Sequence, residues 1–229
     1  MQRLPERPAA AVLLLHGGRA DSMRPVSRFS LAALRMCFFA AEIEHRTWGG
    51  EILLAAVRYR YRGWNGHRAD PVRDATQALD ALSALAPGVP VILIGHSMGG
   101  RAALAAAGHD TVRGVIALAP WCPPDEPVAQ LRGKAAVFLH DDTDRVTSAE
   151  QTRAFARRAE AAGADVQVVA LTAGGHAMLR GARRWHRLTA DHTAAILTRG
   201  PHPADTARRP GGSGRRLGAD EGARRHPDG

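Results

Sequence analysis

The chain has 229 residues, 45% of them hydrophobic and 23% charged, with a formal net charge of +9. On a rule of roughly 100–200 residues per domain this is one domain with a sizeable core, and the composition excludes wholesale disorder. Aromatic residues make up only 5%, which leaves little material for base-stacking platforms or membrane-interface belts. Cys37 and Cys122 are too few for a disulfide framework and lie in no spacing that binds zinc.

The positive charge is spread along the chain. Residues 199–229 carry +3 and residues 1–198 carry +6, and Lys134 is the only lysine among the 31 basic residues. This pattern reads as a solvated arginine-rich exterior rather than a phosphate-binding surface, so no nucleic-acid partner is expected.

At the start of the chain, Arg3 and Arg7 precede the apolar run Ala9–Leu15. The run is too short to span a bilayer, and it ends in His16-Gly17-Gly18 rather than a small-residue cleavage site. It therefore reads as a buried strand, and the expected location is cytoplasmic. Further strand-like runs follow at Leu53–Arg58, Val91–Ile94, Val115–Leu118, Ala136–Leu139 and Val166–Leu171. They are nearly continuous in apolar residues, as strands buried on both faces are.

Helical spacing fills the intervals. Phe29–His45 sets Leu31, Leu34 and Phe38 on one side, and Pro71–Leu85 repeats Val72, Ala75, Leu79, Leu82 and Leu85. Arg101–Gly108, Ser148–Ala162 and Leu179–Leu197 complete the series. The alternation predicts an α/β fold: a doubly wound, mostly parallel sheet of about six strands with helices on both faces, over residues 1–198. Residues 199–229 are rich in Gly, Pro and Arg, with Leu217 as their one large aliphatic residue. Such a segment cannot bury enough surface to offset its ordering entropy, and a disordered tail is expected.

Chemistry concentrates at Gly95-His96-Ser97-Met98-Gly99-Gly100, between the run Val91–Ile94 and an alanine-rich helix. This is G-x-S-x-G in a strand–turn–helix setting. A sharp turn there holds the serine hydroxyl out of the sheet end, and the helix start directs backbone N–H groups beside it. The same residues would also serve a plain tight turn with Ser97 as a helix cap, but the setting favours a nucleophile.

These features resemble the α/β-hydrolase superfamily over roughly residues 8–198. His16-Gly17-Gly18 is similar to that family's oxyanion loop, which points to the backbone N–H groups of Gly18 and Met98 as the oxyanion donors. The family order Ser…Asp/Glu…His implies an acid in His140-Asp141-Asp142-Thr143-Asp144 and a histidine after the last strand. The resemblance aligns Asp144 with the acid, leaves Asp142 as the fallback, and departs from the pattern at Asp141, where glycine is usual. Thr172-Ala173-Gly174-Gly175-His176 resembles the family's ending and makes His176 the general base.

Arg58–Gly66 resembles the family's R-G-x-G loop, for which a structural role is expected, while Trp64 and Trp121 are candidates for lining a substrate pocket. Arg19 and Arg24 could meet an anionic substrate group, although solvated arginines are the blander reading. The connection Ala119–Ala135, with four prolines, leaves no room for a substantial cap. The resemblance thus implies a compact serine hydrolase without metal or other cofactor, cleaving small-molecule esters or related acyl compounds through Ser97, Asp144, His176 and an acyl-enzyme. Thioesterases and acyltransferases share that machinery, and a non-catalytic binding or regulatory protein of the same fold is the alternative.

Overall fold

The computed structural model describes residues 8–27, 29–47, 51–172 and 174–198; the expected tail at 199–229 lies outside the described residues. The six apolar runs are strands: β1 (Ala10–Leu15), β2 (Ile52–Ala56), β3 (Val91–His96), β4 (Val112–Leu118), β5 (Ala135–Asp141) and β6 (Asp165–Leu171). They form one sheet ordered β2-β1-β3-β4-β5-β6, with every neighbouring pair parallel. Between them run α1 (Leu31–Arg46), α2 (Asp70–Leu85), α3 (Met98–Ala106) and α4 (Ala149–Ala161), and α5 (Ala182–Thr198) follows β6.

The period-2 geometry of a strand explains the continuous apolar runs. Leu13 and Leu15 of β1 and Leu93 of β3 face a core shared with α2, α3 and α4. Val12 and Leu14, with Ile92 and Ile94, face the opposite core, built with α1 and α5. Both faces are covered, so alternate residues have no polar side to point toward. The distribution of helices follows from the winding. The chain steps from β1 to β2 in one direction and from β2 onward in the other, and right-handed crossovers put the corresponding helices on opposite faces. Ser30 caps α1 by accepting the Ala33 N–H, and Ser148 caps α4 by accepting the Gln151 N–H. Each cap is worth about 1 kcal/mol.

Two details differ from the sequence reading. In α1 the buried face is Met36, Phe39 and Ile43, whereas Leu31, Leu34 and Phe38 are exposed. The helix is apolar on more than one side, so spacing alone does not choose the face; packing against α5 and β1 does. β6 is also less buried than its composition implies. As an edge strand it leaves Gln167 and Val168 exposed, and only Leu171 is fully covered.

Candidate active site

Winding direction reverses between β1 and β3, and in an open α/β sheet the crevice beyond the carboxyl ends at such a reversal is where ligands bind. The two glycine motifs of the sequence end these two strands. Ser97 sits between β3 and α3 at φ 56°, ψ −117°, a left-handed conformation costly for a residue with a Cβ. The turn is pinned from both sides: the Ser97 N–H donates to the Leu118 carbonyl at 3.0 Å, and the Ser97 carbonyl accepts the Arg101 and Trp121 N–H groups.

The glycines of the motif are steric necessities. A Cβ on Gly95 would lie 2.2 Å from the Gly99 carbonyl oxygen, and one on Gly99 would lie 2.3 Å from the Leu15 carbonyl oxygen. Because both obstacles are backbone, neither can swing aside. Gly99→Ala is therefore expected to destabilise the fold by about 3 kcal/mol or more, by forcing α3 off β1. Urea unfolding measures this, and a variant as stable as the parent would contradict the close approach.

Three side chains from distant segments meet at this rim. Ser97 Oγ lies 3.0 Å from His176 Nε2, and His176 Nδ1 lies 2.9 Å from Asp144 Oδ2. Since a carboxylate only accepts, Nδ1 carries the proton and Nε2 presents its lone pair to the serine hydroxyl. Asp144 is the acid in reach of His176; Asp142 instead pairs with Arg153 on the surface.

The Asp144 carboxylate is fully enclosed and richly solvated by protein donors. Oδ1 accepts the Val146 N–H at 2.7 Å and the Thr147 N–H at 3.1 Å. Oδ2 also receives the Thr147 hydroxyl at 2.9 Å and stands 3.3 Å from His140 Nε2. Burial by itself would raise this acid's pKa, but the Val146 N–H, His176 and Thr147 outweigh it and hold the group below the ordinary carboxylate value.

Asp141, the departure from the familiar motif, is wholly buried and ties the acid loop to the histidine loop. Its Oδ1 accepts both the N–H and the hydroxyl of Thr143 at 2.8 Å, and its Oδ2 accepts the Gly175 N–H at 2.7 Å. Thr147 and the tie made by Asp141 were not anticipated as contributors. The place of Thr147 three residues after Asp144, at the end of the Asx turn made by that aspartate, is the signal that points to the former.

His96 supports His176 from below. Its Nε2–H donates to the His176 carbonyl at 2.9 Å, and the two rings lie 4.9 Å apart. Burial first, and His176 second, push the His96 pKa from 6.5 down to about 3. The folded state thus holds this imidazole neutral, while the unfolded chain protonates it below pH 6.5. Its contribution to stability is complete above that pH and is lost as pH falls toward 3, by about 1.4 kcal/mol per unit. Asp141 and Asp144, both lowered from 3.8, add a further loss at more acid pH. Urea midpoints are expected to fall steadily from pH 7 to pH 5, and a flat profile over that range would refute the buried neutral histidine.

The candidate oxyanion donors flank the serine. Met98 is the first residue of α3, where a backbone N–H has no acceptor within the helix. Gly18 passes so close that a Cβ there would lie 2.5 Å from the Arg62 carbonyl oxygen and 2.4 Å from Met98 Cε. The loop holding Gly18 is strapped by the segment 62–65. The Arg19 N–H donates to the Arg62 carbonyl, the Trp64 N–H to the Arg19 carbonyl, and the Asn65 N–H to the Ala20 carbonyl. Asn65 completes the strap, accepting the Ser22 N–H through Oδ1 and donating through Nδ2 to the buried Asp70.

Trp64 and Trp121, expected beside a substrate, stand against Arg101 instead. The guanidinium lies 3.7 Å from one ring centroid and 4.4 Å from the other, and its Nε bonds Glu126. Neither tryptophan borders the cavity that opens at Ser97. That cavity, about 240 Å³, is bordered instead by His16, Arg19, Arg35, Arg62, His96 and His176, together with smaller residues.

A parallel sheet flanked on both faces, with a strained serine between strand and helix, is an α/β-hydrolase fold. The chain belongs to the serine aminopeptidase S33 family, whose model matches residues 6–138. No curated protein matches it in sequence. Among solved structures it is similar to Est1E from Butyrivibrio proteoclasticus, at 13% identity and a TM-score of 0.59, covering 85% of this chain and 90% of that one. A protein of unknown function from Agrobacterium tumefaciens gives 16% identity and a TM-score of 0.67, with 88% and 92% covered. A serine hydrolase without a lid from Xanthomonas campestris gives 17% and 0.59, with 86% and 88% covered. At these identities the likeness concerns the fold. The β4–β5 connection here likewise holds only a short 3₁₀ turn at Ala129–Leu131, and no helix among the described residues is long and apolar enough to cross a membrane.

Proposed function

We propose that this protein is a serine hydrolase that cleaves carboxylic esters of small molecules through an acyl-enzyme. The observation that carries the reading is the hydrogen-bonded line from Ser97 Oγ through His176 to Asp144, at 3.0 and 2.9 Å. Ser97 Oγ attacks the ester carbonyl carbon while its proton passes to His176 Nε2. The carbonyl oxygen becomes an oxyanion received by the N–H groups of Gly18 and Met98. His176 then returns the proton to the departing alcohol oxygen, the carbon–oxygen bond breaks, and an ester to Ser97 remains. Water, deprotonated by the same nitrogen, attacks that ester, and collapse of the second intermediate releases the acid and restores the serine hydroxyl.

Each group serves one physical task. A hydroxyl is a weak nucleophile at neutral pH, and the neutral imidazole supplies the base. The ionised Asp144 keeps the proton on Nδ1 and stabilises the imidazolium while it exists. The two N–H groups act where charge develops, and losing one such donor costs about 3–4 kcal/mol of transition-state stabilisation. Esterase names among the structural neighbours, such as the arylesterase at 14% identity, are in keeping with this reading.

The test is covalent labelling with a fluorophosphonate, followed by mass-spectrometric mapping. The adduct is expected on Ser97 and absent from Ser97→Ala. Labelling elsewhere, or none in a folded protein, would overturn the proposal.

A further inference from the structure

We infer that the cavity at Ser97 selects esters carrying a carboxylate a few bonds from the scissile carbonyl. This rests on the serine-hydrolase reading and adds a substrate class to it.

The cavity is bordered by both reactive and cationic side chains. Ser97 and His176 are the reactive ones and Arg19, Arg35 and Arg62 the cationic ones; among the described residues no aspartate or glutamate borders the cavity. Several arginines elsewhere in the chain are matched by acids. Arg60 pairs with Asp74, Arg68 with Asp70 and Arg101 with Glu126. Among the described residues Arg19, Arg35 and Arg62 have no such partner.

Arg35 makes the strongest case. It projects from the second turn of α1, and its Nε–H is closed off from solvent with no hydrogen-bond partner. Buried donors are normally satisfied, and the Arg35 side chain borders the cavity, so a small rotation of the guanidinium is enough to offer this one to an acceptor on a ligand. A guanidinium remains charged at working pH and meets a carboxylate with two parallel N–H bonds. Arg19 follows directly on Gly18, one of the candidate oxyanion donors, so the first cationic side chain comes one residue from where the scissile carbonyl would be held. His96, on the same cavity, is neutral and adds no positive charge. With a volume of about 240 Å³, the cavity suits a short chain and lies near the small end of ligand sites, about 300 Å³.

Two matched pairs of esters test the inference and separate the two places the charge could sit. Mono-p-nitrophenyl glutarate against p-nitrophenyl pentanoate puts it on the acyl side. 4-Acetoxybenzoate against its methyl ester puts it on the alcohol side. After subtraction of the uncatalysed rate, the charged member of at least one pair is expected to show kcat/KM about 10- to 100-fold higher, the range of one charged hydrogen bond. That ratio should shrink as ionic strength rises. Arg35→Met should bring it toward one, and Arg62→Gln, on an exposed side chain, should reduce it even if the Arg35 variant folds poorly.

Equal kcat/KM within both pairs, or ratios unmoved in both variants, would overturn the substrate class. If Ser97 still takes the fluorophosphonate and neutral esters still turn over, the serine-hydrolase reading survives that result. If a folded protein is neither labelled nor active on any of the four esters, both fall together.

Discussion

Ser97→Ala and His176→Ala are each expected to lower kcat for ester hydrolysis by roughly 10⁴- to 10⁶-fold, and the double variant to be no slower than either single one. The shared effect follows from geometry. With Oγ and Nε2 3.0 Å apart, the hydroxyl has no reactivity without the imidazole, and the imidazole has no proton to take without the hydroxyl. Removing one therefore removes the contribution of the other. Additive losses in the double variant would mean that the two groups act independently. Neither change should unfold the protein, because alanine at position 97 keeps the Cβ that already occupies the turn, and His176 is partly exposed. Circular dichroism beside the kinetics keeps a folding defect from passing as a chemical one.

Asp144→Asn is the second large effect. The amide has nearly the shape of the carboxylate, so the fold should be retained, yet its NH₂ group can face Nδ1 and donate. The imidazole proton then moves to Nε2, and the nitrogen facing Ser97 Oγ loses its lone pair. A loss of about 10⁴-fold in kcat is expected from the wrong tautomer alone. Asp142→Asn, at the surface pair with Arg153, is expected to stay within a few-fold of the parent. An inactive Asp142→Asn beside an active Asp144→Asn would transfer the role of the acid.

The sequence carried much of this arrangement because its strongest signals were steric. A serine between two glycines, at the junction of an apolar strand and an alanine-rich helix, has few backbone solutions. Gly99 against the Leu15 carbonyl shows how little freedom remains. The six strands were equally plain, since burial on both faces imposes unbroken apolar runs. What was hidden depended on side-chain direction. Leu31, Leu34 and Phe38 matched helical spacing as well as Met36, Phe39 and Ile43 do, and only the neighbours of α1 decide between the two faces. That choice also aims Arg35 into the cavity, which no pattern of arginines in an arginine-rich chain could announce. Trp64 and Trp121 follow strands at the sheet end, which makes them candidates for a pocket wall; their partner Arg101 lies in another element, and nothing local links the three. Asp141 stood out only as a deviation from a familiar glycine, with its purpose visible once Gly175 is seen 2.7 Å from it.

That single carboxylate makes two loops, thirty-odd residues apart in the chain, one mechanical part. Grafting the segment that bears the acid into a relative whose equivalent position is glycine would bury a charge with nothing to hold, and the reverse graft would leave the histidine segment of this protein without its anchor. Recombination between this protein and its structural kin should therefore succeed only when both segments travel together.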